Sequence, residues 1–168
     1  MSNPHEAHEA LPVKIQVDGL GQVPAYAHPG DAGCDLCAAL PGNEVIWPGQ
    51  VKAIPTGIRV AVPEGFEMQV RSRSGLSLKN LVVANSPGTV DAGFRGEVRV
   101  ILRHAGKTED GPITIEPGMR IAQAVFAPVF RVAFERVDNL DETVRGEGGF
   151  GSTGVHPIHA HIEDMNNL

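Results

Sequence analysis

The sequence contains only two cysteines among its 168 residues, Cys34 and Cys37. Two thiols cannot supply the several disulfides of a small secreted domain, but a chain of this length can bury a sizeable apolar core without them. Cys34 and Cys37 form a C-x-x-C pair, which occurs in redox sites and in halves of zinc sites. Because no second C-x-x-C follows, we favour the alternative of two small, buried thiols in a strand.

Long apolar runs and an excess of positive charge are also missing. No apolar run reaches the ~20 residues of a membrane span, and the first ten residues, MSNPHEAHEA, lack the basic and apolar regions of a secretion signal. The sequence therefore predicts a cytoplasmic protein that does not bind membranes. The formal net charge of −6 argues against non-specific binding to nucleic acid. A polyanionic ligand would have to be held by a few placed cations, with a metal ion offsetting its charge.

Glycine and proline are abundant, with 20 and 13 residues, and predict many turns. Between them recur short β-branched runs, at 13–17, 44–47, 58–62, 66–70, 81–84, 96–102, 113–115, 121–129 and 132–137. This spacing is typical of an all-β sandwich or barrel. A helical pattern is confined to 74–80.

The length is typical of one domain. We expect a disordered leader at 1–11, a β domain at 12–139 and a C-terminal arm at 140–168.

The segment 145–154 has five glycines interleaved with hydrogen-bond donors and one aromatic ring. The side-chain donors are Arg145, Ser152 and Thr153, and the ring is that of Phe150. Such a segment is typical of a flexible arm that closes over a nucleotide, with the ring on the base and the donors on phosphate. The alternative is a plain flexible linker.

Arg73, Ser74 and Gly75 stand where the short helix begins. An arginine, a hydroxyl and the free N–H groups of a helix start can together bind phosphate, although an ordinary solvated turn has the same composition.

Residues 85–100 are predicted to form a strand, a turn and a second strand, a hairpin whose main chain could read the edge of a base. The Asn85 amide is both donor and acceptor and suits the same role. Asp91 could activate a water as a general base, or simply cap the turn. Phe94 could pack on a sugar that lacks a 2′-hydroxyl, or in the core.

Two further polar residues lie in apolar strands. Gln123 could reach phosphate, or form a hydrogen bond within the sheet. Asp35 needs a partner if it is buried, and either an arginine of the phosphate site or the water shell of Mg²⁺ would supply one.

Five segments, in this order, resemble the motifs of the trimeric dUTP pyrophosphatase (dUTPase) family. They are AGCDL at 32–36, RSGL at 73–76, GTVDAGFRGE at 88–97, GMRIAQ at 118–123 and RGEGGFGSTG at 145–154. The resemblance runs from about residue 13 to residue 154, and five ordered motifs are specific where one is weak. It implies a distorted jelly-roll subunit, and a homotrimer with active sites shared between subunits.

The resemblance also implies hydrolysis of dUTP to dUMP and pyrophosphate, which keeps uracil out of DNA and supplies dUMP for dTMP synthesis. Asp91 would activate the water that attacks the α-phosphate. Mg²⁺ would be held mainly by the substrate phosphates, with Asp35 in support and not as a direct ligand. The substrate-binding residues implied are Arg73, Ser74, Gly75, Asn85, Thr89, Val90, Phe94, Arg99, Gln123, Arg145, Phe150, Gly151, Ser152 and Thr153.

Two positions depart from the family pattern. Phe94 stands where tyrosine is common, which keeps the ring and loses a hydroxyl. Ser72 stands where proline is frequent, which is expected to loosen the turn.

Two rivals stay open. A dCTP deaminase, or a bifunctional enzyme, would need a glutamate at the cytosine ring; the nearest, Glu97, matches the dUTPase pattern. A trimeric nucleotide-binding regulator would need neither Asp91 nor the arm.

Overall fold

A computed structural model describes residues 10–150 and residue 152. Within these residues the chain is nearly all β, which confirms the predicted fold class. The strands are β1 Lys14–Val17, β2 Cys34–Cys37, β3 Glu44–Ile46, β4 Val51–Pro55, β5 Ile58–Ala61, β6 Phe66–Arg71, β7 Leu81–Val83, β8 Gly88–Val90, β9 Arg99–His104, β10 Ile113–Ile115 and β11 Arg120–Pro128. One α-helix, α1, spans Ser74–Ser77, and a 3₁₀ turn spans Thr108–Asp110. No helix of the described residues is long and apolar enough to cross a membrane.

In the part of the chain that the structure describes, the strands form antiparallel sheets of four, three, two and two strands. The four-stranded sheet has the order β2-β11-β6-β8, and the three-stranded sheet has the order β4-β9-β7. The pairs β1-β5 and β3-β10 complete the set. Strand β11 is therefore interior, with β2 along one side and β6 along the other. The edge strands of this sheet are β2 and β8.

Both larger sheets contribute their inward faces to one apolar core. Leu36 of β2, Met68 of β6 and Ala124 of β11 come from the four-stranded sheet, and Ile54 of β4 and Leu102 of β9 from the three-stranded one. Strand β9 shows the expected alternation, because its even-numbered residues are buried while Arg99 and Arg103 are exposed. The arrangement is a jelly-roll-like sandwich.

The imidazole of His104, at the end of β9, is buried. His104 is 1% exposed and uses both ring nitrogens. Nδ1 accepts the N–H of Gly106 at 3.1 Å, and Nε2 lies 3.0 Å from the Gly111 carbonyl oxygen. These contacts make Nδ1 the acceptor and Nε2 the donor, and they satisfy both nitrogens, as a buried polar side chain requires.

The predicted strand at 132–137 is wrong for the single chain. These residues pair with no strand in the described part of the structure, and Val132 and Phe134 are 75% and 94% exposed. Alternating β-formers adopt a strand only where a neighbouring strand and an apolar surface are available. The chain divides into two compact units, Met1–Arg131 and Val132–Leu168, and the predicted domain boundaries at 11/12 and 139/140 stay predictions.

Candidate active site

A cleft of about 600 Å³ collects residues from three of the five motif segments. Asp35 comes from β2, Arg73 to Gly75 from the start of α1, and Gln123 from β11. The charged side chains that line the cleft are Asp31, Asp35, Arg73, Lys79 and Arg120. Three cations face two carboxylates there, so the cleft is locally positive although the chain as a whole is acidic.

The turn from β6 into α1 sets the position of Arg73. Arg73 is the N-cap of α1, with φ −92° and ψ 130°, and its carbonyl accepts the N–H groups of Leu76 and Ser77 at 3.0 Å. The N–H groups of Ser74 and Gly75 then have no intrahelical acceptor, as at every helix start. A Cβ on Gly75 would meet nothing within 4 Å, so open space lies beside these donors.

Ser72 anchors this turn, contrary to the expectation that it loosens it. Its hydroxyl oxygen accepts the N–H of Val83 at 2.8 Å, and its carbonyl accepts Nε2 of Gln123 at 3.0 Å. A proline at this position could not form the first of these bonds, because it has no hydroxyl. The turn is thereby tied to β7 through Ser72's side chain and to β11 through its carbonyl.

Asp35 lies between two guanidinium groups. Nε of Arg73 is 3.0 Å from Oδ1 of Asp35, and Nη1 of Arg120 is 2.9 Å from Oδ2. The Asp35 side chain is 18% exposed, which makes such partners necessary. Of the two partners considered from the sequence, the structure contains the arginine. Arg120 is a residue that sequence reasoning did not single out, although it stands inside the GMRIAQ segment.

Nε2 of Gln123 donates to the Ser72 carbonyl in the turn after β6, and not within the sheet as one interpretation expected, while its side chain also lines the cleft. Gly33 makes room for it. A Cβ on Gly33 would lie 2.4 Å from Oε1 and 3.3 Å from Cβ of Gln123. The glycine of the AGCDL segment therefore leaves space for the glutamine side chain of the GMRIAQ segment.

Asp91 lies in a second cleft, of about 870 Å³, that shares no lining residue with the first. Its lining includes Thr89, Glu64, Glu67 and Arg131. Asp91 is exposed and directly follows β8. Because β8 is an edge strand, the outer edge of Gly88–Val90 presents main-chain N–H and C=O groups that no neighbouring strand of this sheet uses.

The predicted hairpin over 85–100 is corrected in one respect. The strand, turn and strand are present, but β8 pairs with β6 while β9 pairs with β4 and β7. The turn between them therefore crosses from one sheet to another instead of closing a two-stranded ladder. It is held by the Phe94 N–H to the Asp91 carbonyl at 3.0 Å.

Aromatic and amide side chains of this segment lie close to glycines. A Cβ on Gly96 would meet Cζ of Phe94 at 2.6 Å, so the ring, 42% exposed, lies over Gly96. A Cβ on Gly88 would meet Nδ2 of Asn85 at 2.9 Å. Asn85 therefore lies beside the start of β8. Val90, the last residue of β8, is buried in the core.

Arg99 and Glu97 form only a long ion pair. Nε of Arg99 lies 3.7 Å from Oε2 of Glu97, and the arginine side chain is 53% exposed. Such a pair contributes little to stability. Glu97 Oε1 accepts the N–H of Gly57 at 3.0 Å, which gives this glutamate a structural contact.

The two clefts are far apart along β6. Val90 pairs with Met68, so the residue opposite Asp91 is Glu67. Arg73 lies six residues after Glu67 in the chain. At about 3.3 Å per residue this separates them by roughly 20 Å. One chain does not bring Asp91 to the Arg73 cleft.

In the arm, Nε of Arg145 donates to the Gly148 carbonyl at 2.9 Å, and the Ser152 N–H donates to the Gly149 carbonyl at 2.9 Å. The Phe150 ring is fully exposed. The predicted Gly151 and Thr153 lie outside the described residues.

The C-x-x-C pair has no redox geometry. Both thiols are free, and residues three apart in a strand face opposite sides of the sheet. Cys34 is buried as predicted, whereas Cys37, on the other face, is only half-buried. Burial raises the pKa of both thiols, which keeps them protonated at neutral pH. Cys34 instead donates its S–H to the Ala124 carbonyl at 3.6 Å. Among the described residues, no three His, Cys, Asp or Glu side chains converge as a metal site.

Fold and site together define an all-β protein with a cationic cleft suited to phosphate groups. The dUTPase family model matches residues 21–154. Deoxyuridine 5′-triphosphate nucleotidohydrolases from Chlamydia pneumoniae and from Rickettsia bellii (strain OSU 85-389) are 49% and 51% identical to the chain, over 86% and 82% of it and 99% and 90% of those proteins. The Staphylococcus bacteriophage 80alpha dUTPase, solved with dUPNHPP, superposes with a TM-score of 0.79 at 28% identity, covering 87% of this chain and all of that one.

The chain therefore belongs to the dUTPase family. The predictions of this family, and of an enzyme, are confirmed.

The close contact of Gly33 with Gln123 generates a first prediction. Gly33→Ala should lower the free energy of unfolding by about 1–3 kcal/mol, because the added methyl overlaps the Gln123 side chain. Gly42→Ala is the matched control, since a Cβ there meets nothing within 4 Å, and it should change stability by less than about 0.5 kcal/mol. Urea unfolding at one protein concentration measures both. Equal effects of the two variants would contradict the described packing.

Proposed function

We propose that the protein hydrolyses dUTP to dUMP and pyrophosphate. The observation that carries the proposal is the cationic cleft, in which residues of the AGCDL, RSGL and GMRIAQ segments converge in a chain of the dUTPase family. The names of its relatives support this substrate, and so does the nucleotide analogue dUPNHPP bound to the phage enzyme of similar fold.

The cleft is proposed to hold the triphosphate. The Arg73 guanidinium, the Ser74 hydroxyl and the N–H groups of Ser74 and Gly75 would donate to phosphate oxygens, with Gln123 at the wall. Phosphoryl chemistry depends on positioning and on charge stabilisation more than on a covalent intermediate. An excess of cations in this one cleft of an acidic chain suits that requirement.

Mg²⁺ is proposed to be bound mainly by the phosphates of the substrate. Mg²⁺ commonly keeps several waters and takes one or two carboxylates together with substrate phosphates, so a dedicated protein cage is not required. Both oxygens of Asp35 accept from guanidinium groups, which fits a supporting role and not direct ligation. When bound, the ion would offset the negative charge that develops on the phosphates.

The second cleft is proposed to hold the nucleoside and the attacking water. The free edge of β8 offers alternating main-chain donors and acceptors to the uracil, with the Asn85 amide beside it. Phe94 would pack on the deoxyribose, where an apolar ring disfavours a 2′-hydroxyl. Thr89, Val90 and Arg99 complete the proposed uracil-reading segment. Asp91 would accept a proton from the water that attacks the α-phosphate.

The site is proposed to be completed by a second subunit. Roughly 20 Å separates Asp91 from Arg73 along one chain, whereas a general base must be within hydrogen-bond reach of its water. A homotrimer in which one subunit supplies Asp91 and a neighbour supplies Arg73 removes this separation. Arg145, Phe150, Gly151, Ser152 and Thr153 of the arm would then close over the bound nucleotide. Location in the cytoplasm and a role in dUMP supply stay predictions.

The two rival functions are separated by one assay series. Incubation with dUTP, dCTP and dTTP, followed by measurement of pyrophosphate and ammonia, should give pyrophosphate from dUTP alone. Ammonia from dCTP would identify a deaminase. Tight binding of dUTP with no product would identify a nucleotide-binding regulator.

The proposed base predicts that Asp91→Asn lowers kcat by ~10²–10⁴-fold, because the amide cannot take up the proton. The affinity for a non-hydrolysable dUTP analogue, measured by calorimetry, should change little. Glu116→Gln removes an exposed carboxylate from the turn before β11 and is the control, with unchanged kcat. Near-normal turnover by Asp91→Asn would mean that another group activates the water.

A shared site predicts complementation between two inactive variants. Asp91→Asn and Arg73→Gln subunits, mixed under conditions of verified subunit exchange, should regain activity, since about a quarter of the sites in random trimers combine an intact Asp91 with an intact Arg73. Asp91→Asn mixed with Asp91→Ala cannot regain it and is the control. No recovery after exchange, or an active monomer in light scattering, would exclude the shared site.

The proposed closure of the arm over the nucleotide is tested by deletions. Deletion of residues 145–168 should leave the unfolding temperature of the β core nearly unchanged and remove most turnover, because closure over the nucleotide is lost. Phe150→Ala should act in the same direction more weakly, through base stacking of ~1–3 kcal/mol. Deletion of 155–168 is the control and should do little. Full activity in all three variants would contradict the closing arm, and a melted core would make it structural.

A further inference from the structure

An irregularity in the pairing of β11 with β2 sets the direction of the Arg120 side chain. Gln123 pairs with Asp35 and Ala122 with Leu36, but Arg120 and not Ile121 pairs with Cys37. One extra residue, Ile121, is thus inserted into β11, which is the definition of a β-bulge. The burial pattern agrees, because Ile121 and Ala122 are consecutive and both fully buried.

The bulge changes the face on which Arg120 lies. In a regular strand Arg120 and Gln123, three residues apart, would point to opposite faces. With one inserted residue they point to the same face, toward the cleft that both side chains line. Without the bulge, the Arg120 side chain would point to the face that carries the buried Ala122.

Two contacts then connect Arg120 with Arg73. Nη1 of Arg120 lies 2.9 Å from Oδ2 of Asp35, whose other oxygen receives Nε of Arg73 at 3.0 Å. The Arg120 carbonyl accepts Nη1 of Arg73 at 2.9 Å. The Arg73 guanidinium is therefore held on two sides by groups whose positions depend on residue 120.

We propose that Arg120 is a positioning residue, which fixes the Arg73 guanidinium through Asp35 for contact with the substrate phosphates. The inference rests on the proposed function for its substrate and on the bulge for its geometry. Arg120 occupies one Asp35 oxygen and so leaves the other to Arg73 in a single orientation. Fixed donors bind phosphate better than donors that must be ordered on binding.

The competing possibility is that Arg120, 55% exposed, contacts phosphate itself. The two roles differ in their dependence on Asp35. A positioning effect disappears when Asp35 can no longer transmit it, whereas a direct contact persists. A double-mutant cycle measures this difference.

The cycle uses Arg120→Gln, Asp35→Asn and the double variant of the full chain, with inorganic triphosphate as the calorimetric probe and dUTP as substrate. Arg120→Gln should weaken triphosphate binding and lower kcat/KM about tenfold, as for loss of a charged hydrogen bond. In the Asp35→Asn background the same substitution should change the affinity less than about twofold. Arg120→Lys, which can donate one bond to Asp35, should recover part of the loss.

Arg103→Gln is the matched control, because it removes the same charge from an exposed position of β9 and should leave affinity and kcat/KM unchanged. An undiminished tenfold effect of Arg120→Gln in the Asp35→Asn background overturns the proposal in favour of direct contact. If Arg120→Gln does not fold, the cycle is run with Arg120→Lys, and equal losses in both backgrounds overturn the proposal.

Failure of the proposed function can be distinguished from failure of the proposed role of Arg120. A wild-type protein that binds triphosphate but does not hydrolyse dUTP contradicts the substrate and leaves the binding cycle to decide on Arg120. A wild-type protein that does not bind triphosphate overturns the role of Arg120, whatever its activity toward dUTP.

Discussion

The pairing of β11 with β2 on one edge and β6 on the other is the constraint on which the cleft depends. Asp35 is on β2, Arg73 follows β6, and Gln123 is on β11 itself. Asp35 and Arg73 are 38 positions apart in the sequence, and Arg73 and Gln123 are 50 positions apart. The antiparallel register of the three strands brings Asp35, Gln123 and the end of β6 together, and the turn that follows β6 then places Arg73 beside them. Loss of that register by one residue would turn each polar side chain to the opposite face.

Charge is distributed unevenly over this framework. The chain carries a net charge of −6, yet the cleft gathers Arg73, Lys79 and Arg120 against Asp31 and Asp35. The carboxylate of Asp35 is less exposed than either of its arginine partners. It therefore acts as an inner support, while the cations are presented to solvent, where a polyanion would arrive.

Three glycines of the motif segments leave space for neighbouring side chains. Gly33 lies against Gln123, Gly88 against Asn85, and Gly96 beneath the Phe94 ring, each at a distance that a Cβ would violate. These contacts explain three motif glycines by packing and not by backbone conformation. One of them also connects motif segments that are distant in sequence, since Gly33 and Gln123 belong to different motifs. The motifs are therefore parts of one packed structure and not independent ligand sites.

The sequence by itself determined the all-β class, the short helix and the family, because turn residues, strand periodicity and motif order are local patterns that survive without coordinates. It could not determine which strands pair. The segment 85–100 looks like one hairpin, yet its strands join different sheets, and 132–137 looks like a strand without a partner in the described chain.

The tertiary structure alone decided the partners of the polar residues. Ser72 as an anchor, Arg120 beside Asp35, and the distance of Asp91 from Arg73 all depend on register, on a single inserted residue and on sheet order. No periodicity in one segment encodes these relations, because each is a spatial relation between different segments that only packing sets.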